Sequence, residues 1–225
     1  MIAKLPRWVW VGAWALAFVA GAVNVVALLG FEHQSVTHLT GANSMLSAAV
    51  AAGDGSAAAR LAAIIVAFTA GCVLSGVVIQ DDALRFGRRY GVALLIEAGL
   101  LAAAAVLLEG GSVLGVYCAS GACGLQNAMV STYSGAVVRT THVTGMFTDV
   151  GIVLGHALRG VPADLRRLRL YALLISGFLI GGVVGAVAFG HVRYATLFIA
   201  SGLTAAACLA YEVGRLRGRR DEPRA

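Results

Sequence analysis

Charge is scarce in this sequence. Asp, Glu, Lys and Arg together make up 12% of the residues and hydrophobic side chains 59%, whereas an ordinary soluble domain carries about 25% charged residues. Five stretches lack any of the four: Trp8 to Phe31, Leu61 to Gln80, Gly110 to Val138, Leu170 to Gly190, and Tyr194 to Tyr211. Each approaches or exceeds the roughly 20 residues that cross a hydrocarbon core of about 30 Å. A sixth, Tyr90 to Leu108, is interrupted only by Glu97. These runs exclude a water-soluble body and leave no soluble segment large enough to be an independent enzyme.

Catalytic signatures are missing too. There is no P-loop, dinucleotide-binding GxGxxG, HExxH or GxSxG elbow, and no spacing that selects a Ser-His-Asp triad, so the chain is not read as an enzyme. Cys72, Cys118, Cys123 and Cys208 lie inside apolar stretches without the CxxC or Cys/His spacing of zinc sites. They read as small packing residues, and no metal or cofactor is expected. The net charge of +6 does not indicate nucleic acid, because Lys and Arg gather in short segments between the apolar runs and at the ends, as topology signals do.

What the sequence does contain is a duplication. At an offset of 103 to 106 residues, Gly21-Ala22-Val23-Asn24 matches Gly124-Leu125-Gln126-Asn127, and Thr37-His38-Leu39-Thr40-Gly41 matches Thr141-His142-Val143-Thr144-Gly145. Gly71 and Ser75-Gly76 fall against Gly177 and Gly181-Gly182. Each half reads as a long helix with a late Asn, a polar break, a short helix (Gly41 to Ala52, Gly145 to Leu158) and two more long helices. The first run is too long for a signal peptide, so it is taken as an uncleaved span with Trp8, Trp10 and Trp14 near one interface.

The basic segments are Lys4 and Arg7, Arg85 to Arg89, Arg159 to Arg169, and the tail from Arg215. Placing all four on the cytoplasmic side makes each short helix enter and leave on one side. The expected fold is therefore an all-α integral membrane protein. It has about six transmembrane helices in two inverted three-span repeats, each with a broken or re-entrant helix starting at a Thr-Gly step. The whole chain forms one transmembrane domain: residues 8–109 are the first repeat, 112–215 the second, and 216–225 a basic cytoplasmic tail. The alternative of eight spans in parallel repeats puts an Arg-rich loop outside.

A helix that begins within a membrane presents unsatisfied N-H groups and a partial positive charge. Thr40 and Thr144 suit the N-cap, and Gly41 and Gly145 permit close approach. Two such starts in inverted halves suit an anion or a polar solute. The candidate binding residues are Asn24, His38, Thr40, Gly41, Asn43, Ser44, Gln126, Asn127, His142, Thr144, Gly145 and Thr148. Glu97 and Asp149 are candidate proton-coupling acids. The competing structural readings are helix packing at Thr-Gly, amides satisfying the breaks, i−4 bonds from Ser44 and Thr148, a helix-dipole contact for Asp149 and an interhelical bond for Glu97.

Val36 to Ser44, Gly124 to Ala128 and Thr140 to Asp149 together resemble the YoaK-type family of bacterial membrane proteins, over about Trp14 to Tyr211. The resemblance implies a multi-pass protein of the bacterial inner membrane and no defined activity. Relatives often carry Gly-Asn-Thr after the first Thr, where this chain has Gly41-Ala42-Asn43-Ser44. The functional expectation is a small secondary transporter or channel for a polar or anionic solute. The alternative is a non-transporting scaffold, assembly factor or sensor. The partners expected are the lipid bilayer and the solute, not nucleic acid. Both termini are expected in the cytoplasm, and small-residue faces such as Gly181-Gly182 and Gly185 allow a homo-oligomer.

Overall fold

The computed structural model describes residues 7–30, 35–79, 88–134 and 138–220, and among these there are helices and turns but no strand. The helices are α1 (Arg7–Leu29), α2 (Leu39–Ala51), α3 (Gly55–Val78), α4 (Arg88–Glu109), α5 (Leu114–Ser134), α6 (Val143–Leu158), α7 (Leu165–Val192) and α8 (Thr196–Arg220). A 3-10 turn at Arg193–Ala195 joins the last two. Among the described residues, four stretches are long and apolar enough to cross a membrane: Trp8–Leu29, Gly55–Val78, Arg89–Glu109, and Leu165–Leu216, which takes in α7 and α8. The molecule is thus a helical membrane protein. The basic tail read from residue 216 begins as a continuation of α8.

With 13 and 16 residues, α2 and α6 are about 20 and 24 Å long at the α-helical rise, short of a hydrocarbon core. Both start two residues earlier than the Thr-Gly step suggests. His38 and His142 occupy the N-cap positions, and Thr40 and Thr144 lie in the first turn. Neither histidine side chain caps its helix. Both helices end on a glycine of positive φ, Gly53 and Gly160, as does α4 at Gly111, the conformation that closes a helix C-terminus without a Cβ penalty. The helices that follow are capped by aspartates. Asp54 accepts from Ala57 N and Ser56 Oγ at the start of α3, and Asp164 from Arg166 N and Arg167 N at the start of α7. The bonds from Ala57 and Ser56 hold the Asp54 carboxyl below its usual range, so this cap weakens only as pH falls through that lowered value.

Small residues set the packing. Gly177, Gly181 and Gly185 of α7 lie on Trp14, Phe18 and Ala22 of α1, so these two helices run parallel. Ser120 of α5 bonds to Ile64 O of α3, Gly124 lies on Phe68, and Gly71 sits between Gly121 and Leu125, again in parallel. At Gly21, Gly71, Gly124 and Gly181 an added Cβ would strike a backbone carbonyl of the facing helix, the close approach that small residues allow in membranes. Gly181 and Gly185 are therefore used within the chain. The contacts also correct the sequence alignment. Gly71 corresponds in packing to Gly181 and Phe68 to Phe178, an offset of 110 that pairs Phe-Thr-Ala-Gly with Phe-Leu-Ile-Gly, one turn beyond the Gly71–Gly177 match.

The remaining contacts join the two parallel pairs. Gln126 Nε2 of α5 donates to Leu16 O of α1 at 2.6 Å, and Trp8 meets Tyr133, so α1 and α5 are antiparallel. Ser201 Oγ of α8 donates to Ala98 O of α4, and Cys208 Sγ to Gly91 O, so these are antiparallel too. Cys72 Sγ donates to Gly124 O, so two of the four free cysteines link helices through their thiols. At one end of the bundle Trp8, Tyr90, Tyr133 and Tyr211 form a closed ring of aromatic contacts, three of them edge-on and the Tyr90–Tyr211 pair tilted. Arg89 and Arg215 lie on the helices at that end. At the other end Ala195 N donates to Glu109 Oε1, and Gly30 lies under Tyr194.

Candidate functional site

After α1 the chain returns beside its own last turns. Ser35 Oγ and Thr37 Oγ1 both donate to Asn24 Oδ1, at 2.6 and 2.9 Å, and His38 Nδ1 lies 2.9 Å from Ser35 Oγ. Asn24 therefore holds the first break in place. Within α2, Asn43 Nδ2 donates to Leu39 O, Ser44 Oγ to Thr40 O and Ser47 Oγ to Asn43 O. In α6, Thr148 Oγ1 donates to Thr144 O. These groups bond to the preceding turn of their own helix, the structural alternative noted for Ser44 and Thr148.

The second break is built differently. Ser134 Oγ accepts from Val138 N and donates to Val130 O, turning the chain at the end of α5. Asn127, the counterpart of Asn24, has a buried Oδ1 with no hydrogen-bond partner among the described residues. Thr140 is 0% exposed and its Oγ1 is likewise without a partner. This break therefore retains polar capacity that the first has used internally.

The two Thr-Gly steps also differ. An added Cβ at Gly145 would strike the His142 ring, which folds over the first turn of α6, whereas nothing lies within 4 Å of one at Gly41. Gly41→Ala is therefore expected to stabilise by up to about 1 kcal/mol through helix propensity. Gly145→Ala is expected to lose that gain by displacing His142. Thermal unfolding of the two purified variants checks the order.

Of the two candidate acids, Asp149 is engaged. Its Oδ2 accepts from Tyr171 Oη at 2.5 Å and from Arg167 Nη2 at 3.1 Å, tying α6 to α7. This ion pair replaces both the free acid and the helix-dipole contact considered for it. Glu97 lies in the interior at 1% exposure. Its Oε2 has no partner among the described residues, so the interhelical bond considered for that oxygen is not made. Gln126, also 1% exposed, is the bridge to α1 and not a free amide.

The extensive helix contacts of α2 are with α3 and those of α6 with α7. Among the described residues, the two repeated motifs therefore begin short helices that pack on separate long ones, α2 on α3 and α6 on α7. A cavity of about 750 Å³ instead lies between α1, α4, α5 and α8, apolar along its walls and bounded by the aromatic ring at the basic end. Sequence reading missed it because its four aromatic residues come from separate helices, each resembling an ordinary interfacial anchor. Among the described residues no group of three His, Cys, Asp or Glu is arranged to hold a metal.

No curated protein and no solved structure matches the chain. The profile of the family described as "Protein of unknown function (DUF1275)" matches residues 12–210, nearly the whole helical body and the region of the YoaK-type resemblance. The chain belongs to the DUF1275 family.

Proposed function

We propose that the protein is a small secondary transporter with six spans in two inverted halves, α1 to α4 and α5 to α8, working by alternating access in the cell membrane. The observation that carries this is the exchange of partners between halves. The first helix of each half packs along the third of the other, α1 on α7 and α5 on α3, while α1 and α5 run in opposite directions. The antiparallel α4 and α8 pair across the halves. A pseudo-twofold axis in the membrane plane accounts for all three relations.

Such a protein can hold equivalent interfaces in different states. On α5, Gly115 lies against Ala104 and Leu108 of α4, a closed interface. The corresponding α8–α1 interface is parted by the cavity. Interchanging the two states alternates access to the breaks, while the apolar cavity itself is not the path of the polar solute. On this reading Asn127 and Thr140 attend the solute at the second break while Asn24 fixes the first, the solute is small and polar or anionic, and Glu97 is the coupling acid. The basic end and both termini are cytoplasmic.

The internal bonding of Ser44 and Thr148 favours the second reading, a scaffold or sensor whose breaks only shape packing. Proteoliposomes with a trapped pH-sensitive dye distinguish the two. Addition of a small polar anion from a panel of dicarboxylates, inorganic anions and amino acids is expected to drive proton movement in wild type and none in Glu97→Gln. Folded wild-type protein that stays silent across the panel supports the scaffold.

A further inference from the structure

We infer that the cavity between α1, α4, α5 and α8 is a binding site for one acyl chain of an anionic phospholipid, held at the cytoplasmic leaflet. The site does not depend on the protein being a transporter.

The walls of the cavity are apolar. Ala13, Leu16, Leu94, Met129 and Val130 line the cavity and offer a solute no hydrogen bond. Ser134 also lines it, but its hydroxyl is committed to Val130 O and Val138 N. A volume of about 750 Å³ falls within the roughly 300–1,000 Å³ of small-molecule sites. A polar solute would lose its hydration there without replacement. A hydrocarbon chain would not.

The cavity opens sideways, between α1 and α8. Lining residues on both sides of the α1–α8 gap reach the outer surface of the bundle. Val11 is 71% exposed and Leu203 43%, and Ala206 and Ala210 are also exposed. In a membrane that surface faces lipid, so the cavity fills from the side.

One end of the cavity is polar. Tyr133 is only 8% exposed, lines the cavity, and carries a hydroxyl with no partner among the described residues. It belongs to the aromatic ring at the basic end, the level at which aromatic residues meet the headgroup region. There a phenol donates to the ester carbonyl of a lipid whose chain lies in the cavity. Beyond it, Arg89 adjoins Tyr90, and Arg215 adjoins the lining residue Gly214. Arg215 is paired with Glu212, so the two arginines of α4 and α8 outnumber that one acid at this end. The excess of positive charge complements an anionic headgroup.

The test uses Trp8 as reporter, in full-length protein carrying Trp10→Phe and Trp14→Phe, held in neutral phosphatidylcholine nanodiscs. Phosphatidylglycerol with brominated acyl chains is expected to quench Trp8 more strongly than the same fraction of brominated phosphatidylcholine. Gly12→Leu, at a lining position where nothing lies within 4 Å of an added Cβ, is expected to abolish that excess. Ala210→Phe provides an independent filling variant at the exposed rim. Tyr133→Phe is expected to weaken the preference about fivefold through loss of one hydrogen bond. Equal quenching by the two lipids, or an excess that survives filling, overturns the proposal.

Discussion

Gly124→Val is expected to yield little or no monodisperse protein, whereas Gly99→Val is expected to purify like wild type. The contrast isolates one cause, since both glycines lie within long helices and both gain the same side chain. At Gly124 the new Cβ meets the carbonyl of Phe68, and the backbone of α3 cannot rotate aside as a side chain does. The helices must then separate along the line that includes Gly71 on Gly121. They also lose the thiol bond from Cys72 and the hydroxyl bond from Ser120 to Ile64 O. Overpacking a well-fitted core costs about 1–3 kcal/mol, and a clash with backbone belongs at or above the top of that range. At Gly99 nothing lies within 4 Å of an added Cβ. Gly21→Val, the equivalent change between α1 and α7, should reproduce the Gly124 phenotype. Fluorescence-detected size exclusion with a thermal ramp reads all three.

Glu97→Leu is expected to raise the melting temperature and to abolish solute-driven proton movement. A fully buried carboxyl with an unsatisfied oxygen carries a desolvation penalty even when protonated, and leucine of comparable size removes it. The gain is about 1–3 kcal/mol, the usual cost of one unsatisfied buried polar group. A residue that lowers stability where an apolar one would fit invites a functional explanation, since active positions often trade stability for activity. Glu97→Gln separates the effects by keeping polarity and removing the ionisable proton. Transport in Glu97→Leu equal to wild type would remove Glu97 from the mechanism and leave it a structural defect.

The apolar runs located the long helices, because a chain in hydrocarbon must satisfy its backbone internally and charge marks where it leaves. The repeated Thr-His-x-Thr-Gly located both short helices but misplaced their first residues. An N-cap is defined by non-helical backbone angles, and here the histidines adopt them, as in the extended φ of −142° at His38. The third helices were aligned one turn out because small residues recur every four positions along α7, so Gly177 and Gly181 compete for one partner. Only the contact of Gly181 with Phe18 separates them.

The polar groups were less legible than the helices. Whether Ser44 faces a solute or its own helix depends on a rotamer, and it bonds to Thr40 O. Asp149 meets Tyr171 and Arg167 from the next helix, a pairing that no local spacing indicates. The cavity was invisible for the same reason, since α1, α4, α5 and α8 come together only through long-range packing.

The inverted arrangement of the halves is tested most directly by labelling from one side of the membrane. In a background with the four native cysteines replaced by serine or alanine, Ser56→Cys probes the α2–α3 turn and Val161→Cys the α6–α7 link. A membrane-impermeant maleimide added to intact cells should label position 56 and reach position 161 only after permeabilisation. Labelling of both from the same side would contradict the inverted halves and the alternating-access mechanism built on them.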